Sequence, residues 1–331
     1  MMYRSVVNIL GIFSALFCLT GCQCSSDQVA VVSQKYIHKY GFTVSEKEWV
    51  ERDQEGKVIT CLSNGVTLTE NFQEGLLHGI TSYTYPYSSQ ASKEEVYDQG
   101  DLLSEKFYDK HGVPITEERY EIDGKRLRTA WDENGAPIYR EEYQNDKLLQ
   151  GVYYNSFNEV EGKVAKGEGL RVIRSRKGDL LYQDLMLNGE LQKRTTYHNN
   201  GKVHMVVTYV NYKPVGKVEE YTPQGNLHMI SCWENGLLHG EKIDFREGKK
   251  LRETTYAMGV KEGWENSYDE EGNLIEKAPY FKGKKHGAVS LIKDHKWSSE
   301  WFYEGKKVTE EKFQFLEERE RALAQLELPI Q

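Results

Sequence analysis

Long apolar runs are scarce in this chain, and so is proline. Only 7 of 331 residues are Pro and 38% are hydrophobic, with a mean hydropathy of −0.69, which excludes a polytopic membrane protein. Cysteine is sparse too: the five are Cys18, Cys22, Cys24, Cys61 and Cys232, and no two have metal-binding spacing. An exported compartment would let Cys61 and Cys232 bridge, but they read better as small buried hydrophobes. There is no excess of positive charge. With 43 Lys and Arg against 51 Asp and Glu the formal charge is −8, so the protein as a whole does not attract nucleic acid or anionic lipid.

Catalytic constellations are missing as well. The chain has no Gly-x-Ser-x-Gly elbow, and Gly162-Lys163-Val164-Ala165-Lys166-Gly167-Glu168-Gly169 lacks the Gly-Lys-Ser/Thr ending of a phosphate loop. The acidic pairs Glu141-Glu142 and Glu219-Glu220 fall in strand stretches where neighbours face opposite ways, so they read as solvated charge. His78, His239 and His286 each precede a glycine at a repeated position, which repeat geometry explains better than a metal ladder. The expectation is a non-enzymatic protein with no catalytic residues, no cofactor and no metal.

What is present begins at the N-terminus. A short basic start through Arg4 is followed by a nearly uncharged run, Val6 to Leu19, about the length of a signal-peptide core and too short to span a bilayer. It ends at Leu19-Thr20-Gly21-Cys22, which resembles the lipobox of bacterial lipoproteins. That resemblance implies cleavage before Cys22, acylation of its thiol and new amino group, and a membrane contact made through acyl chains. Two or more chains make a stable anchor where one holds only marginally. Residues 1–21 are then the signal peptide, and their loss removes one charged residue, Arg4, taking the formal charge to −9. By analogy with the retention signal of two-membrane bacteria, Gln23 in place of Asp favours the outer membrane.

The rest is periodic. Aromatic residues recur at Tyr209, Tyr221, Trp233, Phe245, Tyr256, Tyr268 and Tyr280, in steps of 11 or 12. Two units alternate. One carries two glycines, as in Trp233, Gly236, Gly240 and Tyr256, Gly259, Gly263; the other carries one, as in Tyr221-Gly225 and Tyr268-Gly272. The composite period of about 24 runs from near Trp49 to Tyr303. Asn-Gly pairs at Asn64-Gly65, Asn134-Gly135, Asn188-Gly189, Asn200-Gly201 and Asn235-Gly236 supply the positive φ angles of two-residue hairpin turns. Strand-like runs such as Val203–Tyr209 lie between turns spaced too closely for helical crossovers. The second glycine of each two-glycine unit falls inside a strand, marking a bulge or a seat for a neighbouring ring. The fold expected is all-β: an elongated antiparallel meander whose units touch mainly their neighbours. A propeller would need blades of about 40 residues.

Trp233-Glu234-Asn235-Gly236-Leu237-Leu238-His239-Gly240 and Tyr280-Phe281-Lys282-Gly283-Lys284-Lys285-His286-Gly287 resemble MORN repeats, in the variant found in bacterial proteins, some of them catalogued as antitoxins. The resemblance covers most of residues 48–308. Pro86–Lys93 and Asn155–Gly169 depart from it and read as surface loops. Residues 22–47 read as a lipid-anchored spacer and 309–331 as a helix. That helix is N-capped by Thr309 and carries an apolar stripe of Phe313, Leu316, Leu323 and Leu326, suited to covering the last strand's edge.

The recurring rings are the material of a thin core, and also offer a face for peptide, glycan or lipid. Trp233, Tyr256 and Tyr280 are the candidate anchors. The function expected is a lipid-anchored envelope repeat protein that binds an unidentified protein partner, with no nucleic acid. The alternative, implied by the resemblance alone, is an antitoxin-like protein that masks a cognate toxin, which the export signal opposes.

Overall fold

The computed structural model describes residues 29–121, 123–293 and 296–326. Leu19, Thr20, Gly21 and Cys22 lie outside them. The described residues form 27 strands in one antiparallel sheet, and from Gly56–Leu62 onward successive strands pair in a meander.

The sheet starts earlier than the repeat pattern indicates. Val31–His38 pairs with Gly56–Leu62 on one side and with Thr43–Val44 on the other. A short helix, α1 (Glu46–Glu51), follows, opened by Ser45 and Glu48 in a reciprocal capping box. Its Trp49 is 4% exposed and packs between Tyr36 and Phe72, with ring centroids 5.8 and 6.0 Å away. Residues 31–47, read above as part of a spacer, are thus the first layer of the sheet.

Two turn chemistries alternate along the ribbon. At Asn188-Gly189 and Asn235-Gly236 both residues are left-handed, as a two-residue hairpin requires. At Asn64-Gly65, Asn134-Gly135 and Asn200-Gly201 only the glycine is, and the turn is wider. At Asn134-Gly135 the preceding Asp132 organises the loop, its Oδ1 accepting from the Asn134 and Ala136 amides, both at 2.8 Å; at the other two the Asn does so itself, Asn64 and Asn200 Oδ1 accepting from the Val66 and Lys202 amides at 3.1 Å. An Asn-Gly pair alone does not separate the two classes.

The second glycines do mark bulges. The register shifts between Ser231 and Trp233 around Gly240, and between Thr254 and Tyr256 around Gly263, with φ of +96° and +101°. Tyr256 stands opposite Gly240 and Tyr280 opposite Gly263, yet a Cβ at these glycines would meet Cys232 and Thr255. The backbone angle, and not a ring seat, selects glycine.

The array folds back once. Val160–Ala165 and Glu168–Arg174 share only two residue pairs, so the sheet turns a corner and buries Leu148, Tyr153, Val164, Val172 and Met186 in one cluster. Gly162 is required here, since a Cβ would lie 2.6 Å from the Val172 side chain. Asn155–Gly169 is therefore mostly corner strand and not a surface loop. Pro86–Lys93 is a turn only through Gln90, and Ala91–Asp98 is a strand.

The C-terminal helix, α2 (Glu310–Leu326), is capped as expected, the Lys312 amide donating to Thr309 Oγ1 at 3.3 Å. Its Phe313 inserts among Trp301, His286 and Tyr303, with centroids 5.1, 5.2 and 6.1 Å away. Trp301 and Tyr303 project from a sheet face, so α2 covers that face and not the strand edge. Leu323 stays exposed, which leaves only the first turns docked.

Candidate interaction surface

Residues paired directly across strands share a sheet face, so the register separates two surfaces. On one, a row runs Thr81, Glu95, Glu105, Glu118, Arg128, Glu141. Its later part runs Val218, Ser231, Lys242, Thr254, Glu265, Ala278. Half-buried carboxylates need partners, and the tyrosines supply them. Tyr83 and Tyr97 donate to Glu95 at 3.2 and 3.1 Å, Tyr120 to Glu105 at 3.1 Å, and Tyr280 to Glu265 at 3.2 Å. Burial first, and then the adjacent glutamate, pushes Tyr97 and Tyr280 up to about 12.

The densest polar cluster sits at the corner. Glu141, 2% exposed, accepts from Tyr143 at 2.7 Å, Tyr153 at 3.0 Å and Arg171 at 2.6 Å. Asp184, 1% exposed, takes Arg171 at 3.2 Å and Arg194 at 2.7 and 2.8 Å. Burial opposes the Arg171 cation, but its hydrogen bond and charge pairing with Glu141 outweigh that and hold its pKa well above the ordinary value. Glu141 is thus a buried ion-pair member and not the solvated charge read from its neighbour Glu142. Arg176 ties adjacent turns together through Asp109 at 2.9 Å, 67 residues away. The donors in this cluster are all engaged internally, which marks it as a brace.

The three anchor candidates lie on the tyrosine–carboxylate face and are half-buried. Trp233 Nε1 donates to Ser231 at 2.8 Å, and the Tyr280 ring carries the Lys261 ammonium 4.7 Å from its centroid. The register aligns Trp233, Tyr256 and Tyr280 in a column two strands apart. Their polar ends are turned to the protein at Trp233 and Tyr280.

The opposite face carries exposed rings that the period did not single out. Trp264 is 47% and Trp297 53% exposed, and Lys277 Nζ stands 4.3 Å from the Trp264 centroid. Strand parity was the available signal, since Trp264 directly precedes the inward-facing Glu265. The repeated histidines are staples: His239 and His286 Nδ1 accept from the Met258 and Glu304 amides of the next hairpin at 3.4 and 3.3 Å. Among the described residues no group of three or more His, Cys, Asp or Glu is placed to hold a metal, and Cys61 and Cys232 are free thiols.

Comparison with known proteins adds one family. The profile of the MORN repeat variant matches residues 193–211, a stretch that spans one hairpin of the sheet. No curated protein matches the chain. Among solved structures, a mutant of S. aureus TarM in complex with Fondaparinux, alpha-GlcNAc-glycerol and UDP is similar at 15% identity over 38% of this chain, TM-score 0.19. TcdB2-TccC3-Cdc42 is similar at 8% over 74%, TM-score 0.19. A porin-like protein from Bacteroides uniformis is similar at 9% over 80%, covering 92% of that chain, TM-score 0.15. This chain spans 21% and 19% of the first two. Likenesses at that level carry no functional weight.

Proposed function

We propose that this chain is a lipid-anchored, non-enzymatic repeat protein that presents its extended sheet for protein contacts at a bacterial envelope. One observation carries the reading: a single-layer sheet in which the buried carboxylates, tyrosine hydroxyls and arginines engage one another, leaving two long faces for contact and little polar chemistry free for catalysis. The anchor rests on Leu19-Thr20-Gly21-Cys22, and the outer membrane is favoured by Gln23 where the organism has one.

A photo-crosslinking residue placed singly along both faces in living cells tests the contact. The expected result is one adduct of constant mass, formed from positions on one face and not the other. Adducts scattered over both faces with no common mass would contradict a defined partner. The antitoxin alternative predicts instead a cytosolic adduct that persists without export.

A further inference from the structure

The meander closes its two ends differently. At the start, Val31–His38 is bulged between Val31 and Ser33 and partly covered by Thr43–Val44, two of the devices that blunt a sheet edge. At the finish, the last long strand, Lys296–Tyr303, is flat: its register with Gly287–Lys293 runs without a shift. The short strand Lys306–Val308 pairs only with Trp301, Phe302 and Tyr303. Among the described residues no strand pairs with the outer side of Lys296–Glu300, and α2 packs on a face and leaves that edge open.

The backbone of that stretch presents a fixed pattern. Tyr303 and Lys306 flank the two-residue turn Glu304-Gly305, whose φ angles are +46° and +83°, so they form a hydrogen-bonded pair. Alternation along the strand then aims the N–H and C=O groups of Ser299 and Trp297 at the vacant side. The side chains of Lys296, Ser298 and Glu300 lie on the tyrosine–carboxylate face, and those of Trp297 and Ser299 on the other. Laid antiparallel against itself about Ser298, the stretch is its own complement. Lys296 stands opposite Glu300 of the second copy and Glu300 opposite its Lys296, so unlike charges meet on both sides of the twofold axis. Glu300 already holds Lys307 at 2.9 Å, and the incoming Lys296 brings a further cation to that carboxylate.

We propose that two copies of this chain join edge to edge through Lys296–Glu300, so that one sheet continues across both molecules. Ser299 and Trp297 form the new hydrogen-bonded pairs, Ser298 meets Ser298, and the Trp297 ring, 53% exposed in the single copy, lies beside the incoming strand. Any extended segment could satisfy the backbone. Only one with a base and an acid at the same spacing and in the opposite order satisfies Lys296 and Glu300 as well, and a second copy supplies it. With one flat open edge per molecule the assembly closes at two, the isologous case. The contact is short, which makes the dimer weak and reversible. It is separate from the partner contact proposed above and holds whether or not the chain is acylated.

Ser298→Cys, a nearly isosteric change, tests the register. Side chains directly opposed at a non-hydrogen-bonded pair are close enough for a disulfide. Mild oxidation of the full chain should therefore yield a peptide joined to its own copy through position 298, read by mass spectrometry. Ser299→Cys, which faces Trp297 of the second copy, should not give the corresponding link. Added to Ser298→Cys, Lys296→Glu or Glu300→Lys alone should lower the yield about tenfold, because like charges then stand opposite. Mixing those two variant chains should restore it, since the mixed pair is complementary again; damage confined to one strand would not be repaired by mixing. Absence of the 298-to-298 link, a yield that mixing leaves low, or a link from position 298 to a different protein overturns the proposal.

Discussion

At the scale of single residues, the sheet is held by carboxylates that water no longer solvates. Arg171 serves two of them, Glu141 and Asp184, both almost fully buried. Its replacement by Ala leaves two buried anions short of a partner, and we expect a loss of about 3–5 kcal/mol in urea unfolding. Arg119, whose side chain is mostly exposed beside Glu117, should cost about 0–1 kcal/mol under the same change. The tyrosines set an alkaline limit. Tyr97 and Tyr280 move from 10.0 to about 12 in the fold, so the neutral phenol is favoured in the native state. Their contribution is complete below pH 10 and disappears as pH rises toward 12. The unfolding midpoint should therefore fall across that window, and Tyr280→Phe should flatten the fall; a pH-independent midpoint from 10 to 12 would contradict the assignment. None of this pairing was legible in the sequence, because Glu141 and Arg171 are 30 residues apart and only the corner joins them.

At the scale of elements, the period shows most of the hairpins directly. Turn residues and strand lengths repeat every 11 or 12 positions, and the strands fall where that rhythm puts them. The misreadings come from residues whose local signal is ambiguous. Asn155–Gly169 is rich in Gly, Glu and Lys, as loops are, yet its Gly162 makes room for Val172 and Tyr153 at the corner. Residues 31–47 lack the aromatic rhythm because their strand meets α1 and Trp49 in place of a repeat neighbour. Gly240→Ala should cost about 1–2 kcal/mol, since its left-handed backbone penalises any Cβ. For α2, apolarity in the sequence outran docking: Phe313 and Leu316 are half-buried while Leu323 is exposed. Phe313→Ala should release the helix, read as fast amide exchange over 310–326 with the sheet unchanged. Exchange rates there equal to the parent's would show that the helix is held by something else.

At the scale of the whole molecule, a quasi-linear array distributes its stability unevenly. Each hairpin contacts the next, and the corner gathers the larger of two multi-strand cores among the described residues, the smaller lying around Trp49, so residues 137–194 should exchange their amides slowest and the C-terminal end fastest. Uniform protection along the ribbon would contradict that picture. Such a molecule offers length and two faces more than an enclosed pocket, which suits a tethered contact protein. The tether is the premise on which the envelope reading stands. The measurement that tests it most directly is the intact mass of the protein purified from its own membranes, beside a Cys22→Ala version. The account predicts a chain beginning at Cys22 and carrying two or three acyl chains, all lost in the variant. An unprocessed, unacylated chain would contradict it and return the protein to the cytosol, where a toxin-masking role becomes the reading to pursue.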